Sequence, residues 1–217
     1  RQQGARVVGR HRGHAHHRLV PLGGAHVILQ RAIPRIVTPR TVLTIPEPSA
    51  APLVLDYFAR NRERLEPVSP PPVDGFYTRE HWERRLRTAR EEFLADTSLR
   101  LYMSRPSDPT ILGVVSFTQF FRLALQRCIL GYSVDGAHEG QGLLREGLEA
   151  SIDYVFDELG FHRIEANYMP TNERSGNLLR RLGFTVEGYA RDYLFLHDRW
   201  RDHVLTAKVN PKPTPAL

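Results

Sequence analysis

Residues 139–144, Glu139-Gly140-Gln141-Gly142-Leu143-Leu144, are the stretch whose residue types and spacing could hold a charged group. A strand-like run, 127–134, precedes them and a long helical period follows. At such a junction glycines let a backbone approach a ligand closely, unpaired amides converge, and the helix dipole favours negative charge. The chemistry on offer is the cradling of a phosphate. No Gly-Lys-Ser/Thr follows, which argues against triphosphate hydrolysis, and the third glycine of a dinucleotide fingerprint is missing. Taken alone, the two glycines fit a plain helix-entry turn equally well. Further along, Glu165 sits in a strand, and Asn172 opens a short helix that carries Ser175. Their plain readings are a strand-edge carboxylate, an N-cap and a helix-surface hydroxyl.

These residues depend on the elements that present them. Residues 41–45 read as a short strand stopped by Pro46-Glu47-Pro48, and Ser49 reads as the cap of a helix reaching about Leu65. The proline-rich stretch 67–72 reads as a loop. A second helix over 78–95 puts Trp82, Leu86, Ala89 and Phe93 on one stripe. Strands follow over 99–104, 111–120 and 127–134, with Asp108-Pro109 marking the first turn. The helix from Gly142 to about Leu159 repeats Leu144, Leu148, Ile152, Val155, Phe156 and Leu159 at helical spacing, and Gly160 caps it. A strand (163–168), a helix (172–182) and two strands (186–196, 200–208) complete the body. That order predicts one mixed α/β sheet with helices on both faces, in a single domain over 36–209 with an irregular tail over 210–217.

The composition, 41% hydrophobic and 25% charged in 217 residues, is that of a globular chain with a real core. No apolar run is long enough to cross a bilayer, so no membrane is expected. The single cysteine, Cys128, cannot form an internal disulfide framework and fits a reducing compartment such as the cytoplasm. The net charge of +6 is not spread evenly. Residues 1–40 hold eight arginines and no acid, so 41–217 carries 22 basic against 24 acidic residues, a formal charge of −2. The basicity belongs to residues 1–35, read as a disordered leader, and no specific nucleic acid is expected for the body. The first methionine is Met103 and arginine outnumbers lysine 28 to 2, which points to residues 1–26 as translated upstream sequence, with a start at Val27. His11, His14, His16 and His17 are spaced like ligands, but neither an acid nor a cysteine completes a shell, and no metal is expected.

Asn172-Glu173-Arg174-Ser175, the helix ending Leu182-Gly183-Phe184 and the loop 139–144 together resemble the GNAT superfamily of N-acetyltransferases. Gly131-Tyr132-Ser133, residues 163–170, residues 188–193 and residues 200–206 are similar to the bacterial ribosomal-protein-alanine N-acetyltransferases. The resemblance weakens over 38–130 and is absent before about residue 36. It implies an acyl-CoA N-acyltransferase fold with a mostly antiparallel sheet, and acetyl-CoA as cosubstrate. Cofactor contacts then fall to Ser133, Val134, Glu139, Gly140, Gln141, Gly142, Leu143, Leu144, Asn172 and Ser175. The chain departs from the broad pattern at Glu139 and Leu144, and at Leu179, where many members place the tyrosine that protonates the leaving thiolate. Ser175, on the same helix face, is the expected substitute.

The implied reaction is acyl transfer from a thioester to an amine. An α-amino group has a pKa of about 8, so a modest base suffices, and Glu165 is the candidate. A splay between strands 127–134 and 163–168 is expected to offer backbone donors to the thioester carbonyl. Tyr132, Asn167, Tyr168, Arg191 and Asp192 are the expected acceptor-side residues. The acceptor that the resemblance implies is the N-terminal alanine or serine of a ribosomal protein. Two alternatives stand beside it: acetylation of a polyamine or antibiotic, and a non-catalytic ribosome-assembly factor that grips the ribosomal particle through the basic leader.

Overall fold

Eight strands hydrogen-bond into one sheet: β1 (Arg35–Val37), β2 (Val42–Thr44), β3 (Leu99–Arg105), β4 (Asp108–Phe121), β5 (Arg127–Val134), β6 (Arg163–Tyr168), β7 (Thr185–Leu196) and β8 (Arg199–Val209). Their spatial order is β1-β2-β3-β4-β5-β6-β8-β7. Five helices accompany them: α1 (Ala51–Arg60), α2 (Arg62–Leu65), α3 (Arg79–Leu94), α4 (Leu143–Asp157) and α5 (Glu173–Arg181). This computed structural model describes residues 31–196 and 198–212. The expectations for the leader before Arg31 and for the tail beyond Lys212 lie outside the described residues.

Every neighbouring pair of strands is antiparallel except β5 and β6, which run parallel. A parallel pair needs a crossover, and α4 supplies it. Side chains alternate across the sheet, so its two faces build two cores. Leu101 and Met103 pack with Leu148, Ile152 and Val155 of α4. Tyr102, between them, packs with Val54 and Tyr57 of α1 and with Trp82 and Leu86 of α3. Helices therefore cover both faces, as the element order predicts. Thr78 caps α3 by accepting from the His81 amide, and its stripe of Trp82, Leu86, Ala89 and Phe93 is buried.

Four local differences have physical causes. Strand β1 is new; at three residues it is too short to show a period, and its pairing with β2 is what makes it a strand. Before it, Ile33 packs on the core and Arg31 pairs with Asp96 at 2.9 Å, so contacts with the body reach back beyond residue 36. The helix expected from Ser49 begins at Ala51 after a 3₁₀ turn, without a side-chain cap. It then breaks at Asn61, whose buried side chain donates to the Tyr57 carbonyl and to Asp135. The β3–β4 turn is Pro106-Ser107, and Asp108-Pro109 already belongs to β4.

Candidate active site

The loop between β5 and α4 is shaped by backbone sterics. Gly140 and Gly142 have φ values of +72° and +73°, the left-handed region that side chains disfavour, and Gly142 is the N-cap of α4. The amides of the first turn of this 15-residue helix have no intrahelical acceptor. A Cβ built on Gly140 would meet no atom within 4 Å, so the loop presents an open surface. Three guanidinium groups surround it. Arg40, from the β1–β2 turn, donates to the Gln141 carbonyl at 3.0 Å and to Glu146 at 2.6 Å. Arg64 and Arg174 both pair with Glu139, Arg174 at 2.5 Å. Backbone donors, a helix N-terminus and three arginines fit a pyrophosphate, so the expected cradle has the right chemistry.

Within that cradle the side chains divide. Glu139 orients Arg64 and Arg174 rather than facing an anion itself. Leu143 is buried in the core and Leu144 packs against it, so both can serve a ligand only through the backbone. Ser133 shares a hydrogen bond of 2.8 Å with Tyr57, and the Val134 carbonyl accepts from Arg64 at 3.2 Å. Just before the loop, Asp135 anchors the turn. It accepts from Arg60 at 2.5 Å, from Asn61 at 3.1 Å and from the Ala137 amide at 2.9 Å. Burial pushes this carboxyl up, but the donors outweigh it and hold it at about 2.

The expected splay is present. Parallel pairing of β5 with β6 runs only from Arg127↔Arg163 to Ile129↔Glu165. Along its whole length, from Arg163 to Tyr168, β6 pairs on its other side with β8, while β5 stays paired with β4 as far as Val134. On the β6 side, residues 130–134 pair with no strand among the described residues and face a gap, with the Val134 carbonyl taken by Arg64. Helix α5 borders the gap. Asn172 caps it, its Oδ1 accepting from the Ser175 amide at 3.1 Å. Ser175 Oγ lies 2.7 Å from the Tyr132 hydroxyl.

Strand alternation sorts the remaining residues. Ile164 and Ala166 face the core beneath α4 and α5, and Tyr132 and Tyr168 pack against that same core. A Cβ on Gly176 would stand 2.8 Å from the Tyr168 ring, so Tyr168 lies tight against α5. Tyr132 and Tyr168, both expected on the acceptor side, are therefore on the face of Ser175, opposite Glu165 and Asn167. Glu165 and Asn167 alternate to the opposite face. Glu165 is held by Arg127 at 2.8 Å and Arg163 at 2.9 Å, one guanidinium on each oxygen. The candidate base is thus an ion-paired strand carboxylate. Asn167 donates to the Tyr193 hydroxyl at 2.9 Å. Arg191 and Asp192 lie in an irregular stretch of β7, where the Asp192 amide donates to Asp202 at 2.9 Å. Asn167 and the 191–193 stretch thus meet on one face through Tyr193.

Arg40, Arg64, Asn61, Asp135 and Tyr193 were not singled out by sequence reasoning. Arg40 hid among the basic residues of 1–40, Asp135 lies just before the loop but is held by distant Arg60 and Asn61, and Arg64, Asn61 and Tyr193 reach the site only through long-range packing.

Residues 40–185 match the Acetyltransferase (GNAT) domain family. Over 181 residues the chain is 40% identical to the ribosomal protein uS5-alanine N-acetyltransferase of Escherichia coli (strain K12), covering 83% of this chain and 93% of that protein. The solved structure of the ribosomal-protein-S5-alanine acetyltransferase from Vibrio fischeri superposes with a TM-score of 0.78 at 32% identity, covering 82% of this chain and 99% of that one. Mycobacterium smegmatis RimJ, solved in complex with CoA-disulfide, shares the fold at a TM-score of 0.72 and 24% identity, over 80% and 85% of the two chains. A phosphate-type loop at the head of α4, a sheet that splays beside it and a family match spanning both lead to one statement: the chain belongs to the GNAT acetyltransferase family.

Proposed function

We propose that this chain transfers the acetyl group of acetyl-CoA to the N-terminal α-amino group of a ribosomal protein that begins with alanine or serine, by direct attack in a ternary complex. The observation that carries the reaction is the gap between β5 and β6, with an anion cradle at one end and the Ser175 hydroxyl on its border. The acceptor class rests on similarity along nearly the whole E. coli alanine-type enzyme. No feature of the described residues singles out a polyamine or an antibiotic.

The cosubstrate supplies an activated thioester. The amides of residues 140–144 and the guanidiniums of Arg40, Arg64 and Arg174 hold its phosphates. The free edge of β5 offers backbone donors to the thioester carbonyl, an oxyanion-type contribution. Ser175 gives its hydroxyl hydrogen to the leaving sulfur. An α-amino group with a pKa near 8 is partly neutral at cytoplasmic pH, so positioning matters more than a strong base. The opposite face, with Asn167, Tyr193, Arg191 and Asp192, receives the peptide end. Such an acceptor puts the enzyme in the cytoplasm.

The test is mass spectrometry of small-subunit ribosomal proteins after incubation with the protein and acetyl-CoA. One acetyl group on the α-amine of an alanine or serine terminus is the expected product. Modification of lysines alone, or of spermidine in preference to proteins, would refute the acceptor. In the same assay Ser175→Ala should lose about tenfold or more in kcat, about 1.4 kcal/mol of transition-state stabilisation, while acetyl-CoA affinity stays unchanged.

A further inference from the structure

Ser175 does not stand alone in the gap. The Tyr132 hydroxyl, from β5, is 2.7 Å from its Oγ. Both partners are held in place. The Tyr132 ring packs against the main core, and Ser175 sits in the first turn of α5, pinned by the Asn172 cap. Leu179, one turn further along α5, is buried and offers no proton.

A hydroxyl pair has a direction. If Ser175 donated to Tyr132, its only hydrogen would be used and none would face the gap. A phenol is the stronger acid of the two, so the favoured arrangement has Tyr132 donating and Ser175 accepting. We infer that Tyr132 is the positioning residue of the leaving-group step: by donating to Ser175 Oγ it turns the serine hydrogen into the gap and replaces that hydrogen as it leaves. This rests on the acetyl-transfer reading and on the role given to Ser175 there.

The step balances. The amine nitrogen forms a bond to the thioester carbon, and the C–S bond breaks with its electron pair going to sulfur. Sulfur takes the Ser175 hydrogen, and Ser175 Oγ takes the Tyr132 hydrogen. The proton shed by the amine nitrogen on becoming an amide returns to Tyr132 through water. Burial pushes the Tyr132 hydroxyl up to about 12, against the pull of its bond to Ser175. It is therefore protonated at physiological pH and releases a proton only as it receives one, which suits a relay.

Tyr132→Phe keeps the ring and removes only the hydroxyl. Three readouts test it beside wild type, Ser175→Ala and the double variant. Thermal melting and calorimetry with acetyl-CoA should match wild type for Tyr132→Phe, since neither the core contact nor the cradle changes. The ionisation of the bound CoA thiol, followed by thiolate absorbance, should move to higher pH in Tyr132→Phe and in Ser175→Ala alike, because Ser175→Ala removes the donor to sulfur and Tyr132→Phe removes the bond that aims it there. Single-turnover acetyl transfer should slow about tenfold in Tyr132→Phe, and the double variant should be no slower than Ser175→Ala. Wild-type transfer and thiol ionisation in Tyr132→Phe would overturn the inference while leaving Ser175 its role. Multiplying losses would also overturn it, since Tyr132 would then act without Ser175. A wild-type rate in Ser175→Ala would instead remove the role of Ser175 itself.

Discussion

Asp135→Asn is the sharpest test of what holds the loop before α4 in place. The carboxylate is nearly inaccessible, with 6% of its side chain exposed, and it accepts from Arg60, Asn61 and the Ala137 amide. Its pKa is about 2 against a model-peptide value of 3.8. At 1.36 kcal/mol per unit, that difference corresponds to about 2 kcal/mol of native-state stability at neutral pH. An asparagine keeps the shape and one acceptor oxygen but loses the charge, and its NH₂ faces the Asn61 donor. The variant should unfold about 2 kcal/mol more easily at pH 7, a melting temperature lower by roughly 4–8 °C for a domain of this size. The pH dependence follows from the sign of the shift. A carboxyl depressed in the fold stabilises fully above its unfolded pKa, and that stability drains away as pH falls towards the folded value. About half of the difference between wild type and variant should thus be gone by pH 3. Urea unfolding of both proteins at pH 7, 5 and 3 reads this directly. A difference below ~0.5 kcal/mol at pH 7, or one that does not shrink by pH 3, would refute the account of Asp135 as a buried charged anchor.

Two other substitutions probe the site from opposite directions. Gly140→Ala places a methyl group where no protein atom lies within 4 Å, so its stability cost should be only the ~1 kcal/mol of a left-handed non-glycine residue. Its acetyl-CoA affinity should fall clearly in calorimetry, and unchanged affinity would move the phosphates elsewhere. Glu165→Gln should leave the pH profile of kcat in place, because Arg127 and Arg163 already occupy both carboxylate oxygens. A lost limb in that profile would restore Glu165 as the base.

Local physics is what the sequence alone determined. The loop at 139–144 was legible because glycine at a positive φ, a preceding strand and a following amphipathic helix are properties of near neighbours. The longer strands and helices were legible for the same reason, since periodicity is written residue by residue. The three-residue β1 was not, because only its pairing with β2 makes it a strand. Tertiary structure alone decided which side chains meet. Arg40 reaches Gln141 across 101 positions, Arg64 reaches Glu139 across 75, and Tyr132 reaches Ser175 across 43. Strand order did the rest. The pairing of β5 with β6 ends at Ile129 and Glu165 and leaves the gap, while the register sends Tyr132 towards Ser175 and Glu165 towards two arginines on the other face. A one-residue change of register would exchange those faces, and the packing of Ile164 and Ala166 into the core fixes it.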